Sequence, residues 1–320
     1  MSDPISSLIG EAEAGDAAAQ LELAKMYAVG AGVPKDPGRA AQWFRAAADQ
    51  GSSRAQSLLG EMLLSGPDNT RDPQAAIHWL CLAAEQNDAG ANAALGWCHQ
   101  EGIAVDRNYA AAVKYYERAA QHGHAGARYN LAYMHAEGLG VARDYATAFR
   151  WYELAARQGH AKAQLNLGRL QAQGLGTVAD PVSAAHWYEA AARQGYAKAQ
   201  YNLALLLAGG HGVEQDETTA VIWYRRAAEQ DYEKALYNLG VHTLLGLGTE
   251  PDPAAAFHLF RRATEKGYAK AWYQLGRMYE KGTGCEVDPE AATRCFREAA
   301  EAGFAPAWER KRRGPRRGDS

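Results

Sequence analysis

The sequence predicts an all-α protein, a right-handed α-solenoid of eight helix-turn-helix repeats that are each 36 residues long. Three observations lead to this prediction: a fixed interval of self-similarity, small and apolar residues at helical spacing, and turn residues between the helical segments. The interval is visible in four stretches: GHAKAQLNLG at 159–168, GYAKAQYNLA at 195–204, DYEKALYNLG at 231–240 and GYAKAWYQLG at 267–276. A strict interval without insertions is typical of arrays in which each repeat packs only on its neighbours.

Each repeat carries two apolar stripes. Repeats one to eight begin at residues 15, 51, 87, 123, 159, 195, 231 and 267, and an incomplete ninth begins at 303. With positions numbered 1 to 36 inside a repeat, position 5 is always Ala, position 9 always Leu and position 10 always Gly or Ala, while positions 26 and 33 are always Ala. This spacing predicts two helices per repeat. We expect the small residue at position 10 to let the helices approach closely, and the Trp that is frequent at position 29 to fill the space beside it.

Turn residues separate the two helices of a repeat. A glycine-containing loop such as EGLGVARD at 137–144 ends in Asp, which is often followed by Pro, as in Asp252-Pro253. Asp is a good N-cap and Pro fits the first helical position. The Gly at position 1 tolerates the left-handed conformation that ends a helix. Each repeat is therefore predicted to be a pair of antiparallel helices.

These motifs resemble those of a known family. The patterns A-x-x-x-[LG], G-x-G-V-x-x-D and A-x-x-W-Y-x-x-A-A-x-x-G are similar to the Sel1-like repeat, a relative of the tetratricopeptide repeat. The resemblance implies a non-enzymatic adaptor that holds other proteins, as such proteins do in bacterial signalling, secretion or envelope processes. We expect a lead-in at 1–14, the repeat solenoid at 15–302, and a truncated ninth repeat with a basic tail at 303–320.

Composition narrows the class of protein further. The net charge of −3 gives no overall preference for nucleic acid, and no apolar run is long enough to cross a bilayer. The N-terminus does not look like a secretory signal, and the four cysteines form no C-x-x-C pair. We therefore expect a cytoplasmic, bacterial monomer with reduced thiols.

A polar surface on the first helices is the candidate binding site. Positions 4 and 8 lie one helical turn apart, so their Lys and Asn side chains share a face, which position 11 extends and the tyrosines at position 7 flank. We expect lysines to bind carboxylates and amides to bind the backbone of an extended protein or peptide partner with acidic groups, on the concave side of the solenoid. The predicted binding residues are Lys162, Asn166, Arg169, Lys198, Tyr201, Asn202, Lys234, Tyr237, Asn238, Lys270, Tyr273 and Gln274.

Several alternatives remain open at this point. The lysines are equally consistent with a solvated helix surface, the asparagines with a bond to a neighbouring loop, and the tyrosines with partial burial. The tail at 309–320 holds six basic and two acidic residues, so contact with nucleic acid or anionic membrane through this tail is a second hypothesis. A neutralising partner of a toxin is a third.

Catalysis is not expected. The sequence has no G-x-S-x-G, P-loop or H-E-x-x-H motif. His99 and His135 share position 13 in adjacent repeats, but no further ligands follow at a consistent spacing. We therefore predict no catalytic residues, no metal and no cofactor.

Overall fold

The computed structural model describes residues 4–67, 71–304 and 306. Contacts divide the chain into two compact units, Met1–His160 and Ala161–Ser320, which we call the N-terminal and C-terminal halves. The helices of the N-terminal half are α1 (Pro4–Glu13), α2 (Ala17–Val29), α3 (Pro37–Asp49), α4 (Ser53–Ser65), α5 (Pro73–Glu85), α6 (Ala89–Glu101), α7 (Tyr109–Gln121), α8 (Ala125–Glu137) and α9 (Tyr145–Arg157). Those of the C-terminal half are α10 (Ala161–Gln173), α11 (Pro181–Arg193), α12 (Ala197–Gly209), α13 (Glu217–Glu229), α14 (Glu233–Leu245), α15 (Pro253–Glu265), α16 (Ala269–Lys281) and α17 (Pro289–Glu301).

The predicted pair of helices per repeat is confirmed. Every first helix covers positions 3–15 and every second helix covers positions 23–35. The second helices begin as the sequence predicts: the Asp252 carboxylate, for example, accepts the Ala255 backbone N–H at 2.9 Å, and Pro253 opens the helix. The first helices mostly end at a left-handed glycine, such as Gly246 with φ of +71°. Gly66 is an exception, because its backbone is extended.

Helix α1 is an element that the repeat pattern did not predict. Ala12, which is 1% exposed, stands 36 residues before Ala48, so α1 takes the place of a second helix. The Gln20 side chain donates to the Ala12 carbonyl at 3.1 Å, as Gln56 donates to Ala48 at 3.1 Å. Helix α1 is therefore half a repeat, and it covers the apolar side of repeat one.

Close contact between the two helices of a repeat depends on position 10. A Cβ atom on Gly96 would lie 2.7 Å from the Tyr116 ring, and one on Gly240 would lie 2.8 Å from the Phe260 ring. The side chain that packs against this glycine is the one at position 30. The expectation that the Trp at position 29 fills this space is therefore wrong. Most of these tryptophans are only half-buried: Trp43, Trp79, Trp151 and Trp187.

A relay of buried glutamines connects helices of consecutive repeats. Gln200 is 4% exposed; its amide donates to the Ala192 carbonyl of α11 at 3.2 Å and accepts from Gln230, the C-cap residue of α13, at 2.9 Å. The same pairing joins Gln50 to Gln20 and Gln86 to Gln56. Each relay satisfies both ends of a buried amide, which would otherwise destabilise the fold.

The second glycine of the loop lets the loop rest on the preceding repeat. Gly248 has φ of +66°, and a Cβ atom on it would overlap the backbone of Glu217 and Thr218 at the start of α13. Gly212 and Gly284 stand in the same relation to Pro181 and Pro253. This close approach requires glycine on two grounds, space and conformation.

Some sequence predictions concern residues outside the described ranges. The basic tail at 309–320 and the middle of the loop GPDNTRD at 66–72 are among them. Of the helices in the described part of the chain, none has the length and apolar character that crossing a bilayer requires.

We expect Gly248→Ala to lower the free energy of unfolding by about 3 kcal/mol, because left-handed strain adds to the overlap with the Glu217 backbone. Gly267→Ala is the matched control, since its φ is +82° and no atom lies within 4 Å of its added Cβ. The free energy of unfolding of the control should fall by only about 1 kcal/mol. Urea unfolding followed by circular dichroism measures both, and equal losses would contradict the packing role of Gly248.

We expect Gln200→Ala to lower the free energy of unfolding by about 2 to 3 kcal/mol, because it opens a cavity and removes the partner of the Ala192 carbonyl. Gln200→Leu should lower the free energy of unfolding by less than about 1 kcal/mol, because Leu236 occupies the same position in the next repeat and is fully buried. Thermal and urea unfolding of both variants provide the comparison. If the Leu variant is as unstable as the Ala variant, the hydrogen bonds rather than the volume determine stability at this position.

Candidate functional site: the first-helix surface of the C-terminal half

Four exposed lysines form a row on the first helices of the C-terminal half. Each lysine is the second residue of its helix, in α10, α12, α14 and α16. We call them the lysine row: Lys162, Lys198, Lys234 and Lys270. Within the described part of the chain, the ion pairs involve other lysines, such as Lys25 with Glu22 and Lys266 with Asp231. The ammonium groups of the row are therefore open to a ligand.

The N-termini of α12, α14 and α16, next to three of these lysines, lack side-chain caps. At position 2, Tyr196, Tyr232 and Tyr268 are the N-cap residues of α12, α14 and α16, and none accepts a hydrogen bond from the helix. In the N-terminal half the same position caps α2, α4, α6 and α8 through the side chains of Asp16, Ser52, Asp88 and His124. A missing cap costs about 1 kcal/mol, and here the backbone N–H that a cap would bind donates to the carbonyl of the N-cap tyrosine instead, as from Ala199 to Tyr196 at 2.9 Å.

Aromatic pairs stand at two of the three N-termini without caps, those of α14 and α16. The ring of Tyr201 lies 5.3 Å from that of Tyr232 in the next repeat, and the ring of Tyr237 lies 5.2 Å from that of Tyr268. The same pairing continues one repeat further, where the Tyr273 and Phe304 rings are 5.3 Å apart. Such pairs contribute about 0.5 to 1.5 kcal/mol each, which offsets the missing caps of α14 and α16. We call this line of rings the aromatic row.

Burial keeps three tyrosine hydroxyls of this surface neutral. Burial raises the pKa of Tyr201, Tyr232 and Tyr268 above the ordinary value for tyrosine. Glu233, which is half-buried beside them, adds to this effect through its negative charge. Tyr201, Tyr232 and Tyr268 therefore present rings and uncharged hydroxyl groups beside the ammonium groups of the lysine row.

The amides at position 8 have partners inside the protein. The Asn238 side chain donates to the hydroxyl of Tyr224 at 3.3 Å, and the side chains of Asn202 and Asn130 act on the hydroxyls of Tyr188 and Tyr116 so as to oppose the rise of their pKa on burial. Burial raises the pKa of Tyr224 to about 12, although the bond from Asn238 opposes this rise. Gln274, the last member of this position, donates to the Tyr237 hydroxyl at 3.3 Å. The amides thus satisfy tyrosine hydroxyls, a role for which the sequence spacing gave no signal.

Position 11 is apolar in the middle of the surface and basic at its ends. Leu205 is 39% exposed and Val241 is half-buried, and both lie on helices that carry a member of the lysine row. Arg169 is half-buried on α10, and Arg277 is exposed on α16, where it donates to the Gln274 amide oxygen at 3.4 Å. Asn166 lies half-buried on α10 at the same position as Asn202. The surface therefore offers contacts for an apolar group as well as for acidic groups.

The first helices of the N-terminal half present different chemistry. A Cβ atom on Gly90 would lie 3.0 Å from the Ser57 Oγ, 3.1 Å from a Glu61 carboxylate oxygen and 3.2 Å from an Asp88 carboxylate oxygen. Burial raises the pKa of Glu61, and Asp88 raises it further. Position 4 holds Ala18, Arg54, Gly90 and Gly126 here, so no lysine row exists in this half.

The described residues offer little for catalysis or metal binding. Burial raises the pKa of the Cys98 and Cys295 thiols to about 11, which keeps both protonated at neutral pH. His99 stacks on Tyr115 with ring centroids 5.4 Å apart. No group of three or more His, Cys, Asp or Glu side chains within the described ranges is arranged to hold a metal ion.

Comparisons with known proteins follow the same repeat boundaries. The Sel1 repeat profile matches this chain at residues 17–52, 53–88, 89–124, 125–160, 161–196, 197–232, 233–268 and 269–304. The crystal structure of c5321, a protective antigen present in uropathogenic Escherichia coli strains that displays an SLR fold, is similar with a TM-score of 0.90 and 33% identity, covering 97% of this chain and 67% of that one. A Sel1 repeat protein from Oxalobacter formigenes is similar with a TM-score of 0.67 and 28% identity, covering 76% of this chain and 96% of that one. A search of curated proteins gives no match. The eight profile matches, together with these two likenesses, establish that the chain belongs to the Sel1 repeat family of all-α solenoid proteins.

Proposed function

We propose that this protein is a non-enzymatic scaffold whose first-helix surface in the C-terminal half binds an acidic segment of another protein. Sel1 repeat proteins are generally protein-interaction scaffolds. One observation carries the more specific proposal: the exposed lysine row has no ion-pair partner within the described residues and stands beside three helix N-termini without side-chain caps.

Two sources of positive potential coincide at this surface. Each lysine contributes a full charge, and the N-terminus of each helix contributes about half a charge. An exposed ion pair gives only about 0.2 to 1 kcal/mol, so affinity has to come from several pairs acting together. A segment that spans several repeats meets this condition, whereas a single carboxylate does not.

The aromatic row adds contact area to the charge. Tyr201, Tyr237 and Tyr273 are half-buried, so part of each ring faces the surface in a fixed orientation. Tyrosines are frequent at binding hot spots because they provide large apolar and polar contact area and have few rotatable bonds to immobilise. Packing against the second helices therefore fixes the orientation of these rings before a partner binds.

Glu233 is the one acidic side chain at position 3 of this surface. The corresponding residues are Ala161, Ala197 and Ala269. Its charge lies next to Lys234 in the chain and opposes an acidic partner. The proposal therefore requires that neutralising Glu233 and reversing the lysines have opposite effects on binding.

Reversing the charge of Lys198, Lys234 and Lys270 to Glu should reduce partner capture at least about tenfold, because three ion pairs become repulsive. Affinity purification from native cell extract, quantified by mass spectrometry, measures the captured protein. The variant should stay folded, since a Glu in the first helical turn interacts favourably with the helix N-terminus, and circular dichroism checks this.

Three controls accompany this experiment. Lys281→Glu makes the same charge change on an exposed residue at the other end of α16 and should leave capture unchanged. Glu233→Gln should increase capture. Deletion of residues 309–320 tests the tail: a partner lost on deletion but kept by the triple variant would contradict the proposal and favour binding through the tail.

Tyr232→Ser should reduce capture of the same partner about fivefold while changing the free energy of unfolding by less than about 1 kcal/mol. The serine supplies an N-cap for α14 as it removes the ring that packs on Tyr201, so the two effects on stability are opposed. Tyr232→Phe keeps the ring and should retain capture. If the Ser variant captures the partner as well as the wild type, the ring serves folding alone.

A further inference from the structure

We propose that the first-helix surface of the N-terminal half binds a lysine side chain of a partner protein in the space over Gly90. Oxygen atoms of Ser57, Glu61 and Asp88 accept the N–H groups of its ammonium. We call these four residues the Gly90 site. It lies in the other half of the chain from the acidic-segment surface and selects the opposite charge.

Two neighbouring first helices meet at the Gly90 site. Helix α4 carries Ser57 and Glu61, and it contacts α6, which carries Gly90 and begins after its N-cap Asp88. The point where a Cβ atom of Gly90 would stand is 3.0 Å from the Ser57 Oγ, 3.1 Å from a Glu61 carboxylate oxygen and 3.2 Å from an Asp88 carboxylate oxygen. Oxygen atoms from three residues therefore surround the space over one Cα atom.

The Ser57 hydroxyl is the observation that points to a ligand. Ser57 is fully buried, and its Oγ has no hydrogen-bond partner among the described residues. A buried hydroxyl without a partner destabilises a folded protein. The other repeats hold Leu, Tyr or, in the case of Ala93, alanine at this position 7, so the repeat folds without a hydroxyl there. The serine is therefore better explained by a group that it binds.

The two carboxylates of the site lack a cation. Among the described residues, neither Glu61 nor Asp88 takes part in an ion pair. Although Glu61 is exposed as a whole residue, desolvation raises the pKa of its carboxylate; the charge of Arg54 opposes this rise and that of Asp88 adds to it. A cation bound between the two carboxylates favours the ionised form of both. The site is thus suited to a positively charged group.

An ammonium group matches these oxygens better than other cations do. It has three N–H donors, and the site offers one acceptor from each of three residues. A guanidinium holds its donors in one plane, and Ca²⁺ takes about six to eight oxygen ligands. Position 4 carries lysine in the C-terminal half, whereas Gly90 leaves this space to a group from outside. Because the Ser57 Oγ is itself covered, binding requires a side-chain rotation, which the exposed Glu61 is free to make.

Exposed aromatic rings adjoin the site. Trp97 is 40% exposed and lies seven residues after Gly90, which places it two turns further along the same face of α6. Tyr133, at the same position of the next repeat, is 39% exposed. Tryptophan and tyrosine are frequent at binding hot spots because they offer large contact areas. These rings can contact the residues that flank the lysine, so the site fits a protein segment better than a free amine.

Nuclear magnetic resonance titration of the full, ¹⁵N-labelled chain tests the proposal with single-residue probes. The first probe is Nα-acetyl-lysine methylamide, and the Ala91 backbone amide next to Gly90 reports binding. The Nε-trimethyl derivative keeps the charge without N–H donors, and the Nε-acetyl derivative loses the charge. The corresponding arginine derivative and CaCl₂ are the competing cations.

We expect the lysine probe to bind about tenfold more tightly than its trimethyl derivative, because charge-assisted hydrogen bonds are lost. The Nε-acetyl derivative should not bind. Glu61→Gln and Gly90→Ala should each weaken the lysine probe about tenfold, the first by removing a charge and the second by filling the space. Gly126→Ala is the matched control at the same position of the next repeat. It should not affect binding, since the atom nearest to its added Cβ is a His124 ring carbon at 3.3 Å.

Ser57→Ala separates binding from folding. It should weaken the lysine probe about threefold and yet raise the Tm by about 2 °C, because it removes a buried hydroxyl without a partner. Thermal unfolding followed by circular dichroism measures the Tm. A lower Tm would mean that Ser57 serves folding and would contradict its place in the site.

Equal affinity of the lysine probe and its trimethyl derivative would overturn the ammonium site, because the N–H donors would then be unused. Tighter binding of the arginine derivative or of Ca²⁺ would replace the ammonium by a guanidinium or a metal ion. If no probe shifts the Ala91 amide, or if Gly90→Ala leaves binding unchanged, the site itself is wrong. The lysine row is tested separately, by the capture experiment.

Discussion

The contact between position 10 of each first helix and position 30 of each second helix determines where the other groups of a repeat lie. At Gly60, Gly96, Gly168, Gly240 and Gly276, even one added carbon would meet the position-30 side chain at less than 3.0 Å. The axes of the two helices therefore approach as closely as a glycine backbone and a large side chain allow. Because the next first helix begins after a short turn, the same contact sets the orientation of its N-terminus and thus of positions 2, 4 and 7.

Buried polar groups then fix the register between repeats. Hydrophobic contacts among alanines and leucines tolerate small shifts, whereas the bond from Gln200 to the Ala192 carbonyl of the preceding repeat, at 3.2 Å, does not. Where the glutamine is replaced by Leu236, another polar connection to the preceding repeat appears nearby: Arg262 donates to the Ala228 carbonyl at 3.1 Å and pairs with Asp231 at 2.8 Å. Both partners are about half exposed, so this pair fixes geometry more than it adds stability.

Sequence reasoning predicts the repeats because their signals are local. The alanine at position 5 and the Asp-Pro pairs act within one helix or one loop, so their spacing alone identifies them. The face shared by Lys234 and Tyr237 is equally local, because it follows from helical geometry. The partner of Asn238 is different: Tyr224 lies in the previous repeat, and only the packing of that ring against the first helix brings its hydroxyl within reach. Helix α1 escapes the pattern because it carries few of the marker residues of a second helix.

Position 2 holds polar N-caps in the N-terminal half and aromatic residues in three repeats of the C-terminal half. Stability alone gives no reason for this difference. A polar cap and an aromatic pair each contribute about 1 kcal/mol, so either solution holds a first helix in place. Yet Asp16 and Asp88 cap the helices of one half, while Tyr196, Tyr232 and Tyr268 stand at the same position in the other. In a repeat array each local contribution is nearly independent of distant ones, so one set of repeats can change its surface without unfolding the rest. The proposed partner contact therefore gives a reason for rings that are neutral for stability and that stand beside lysines without ion-pair partners in the described residues.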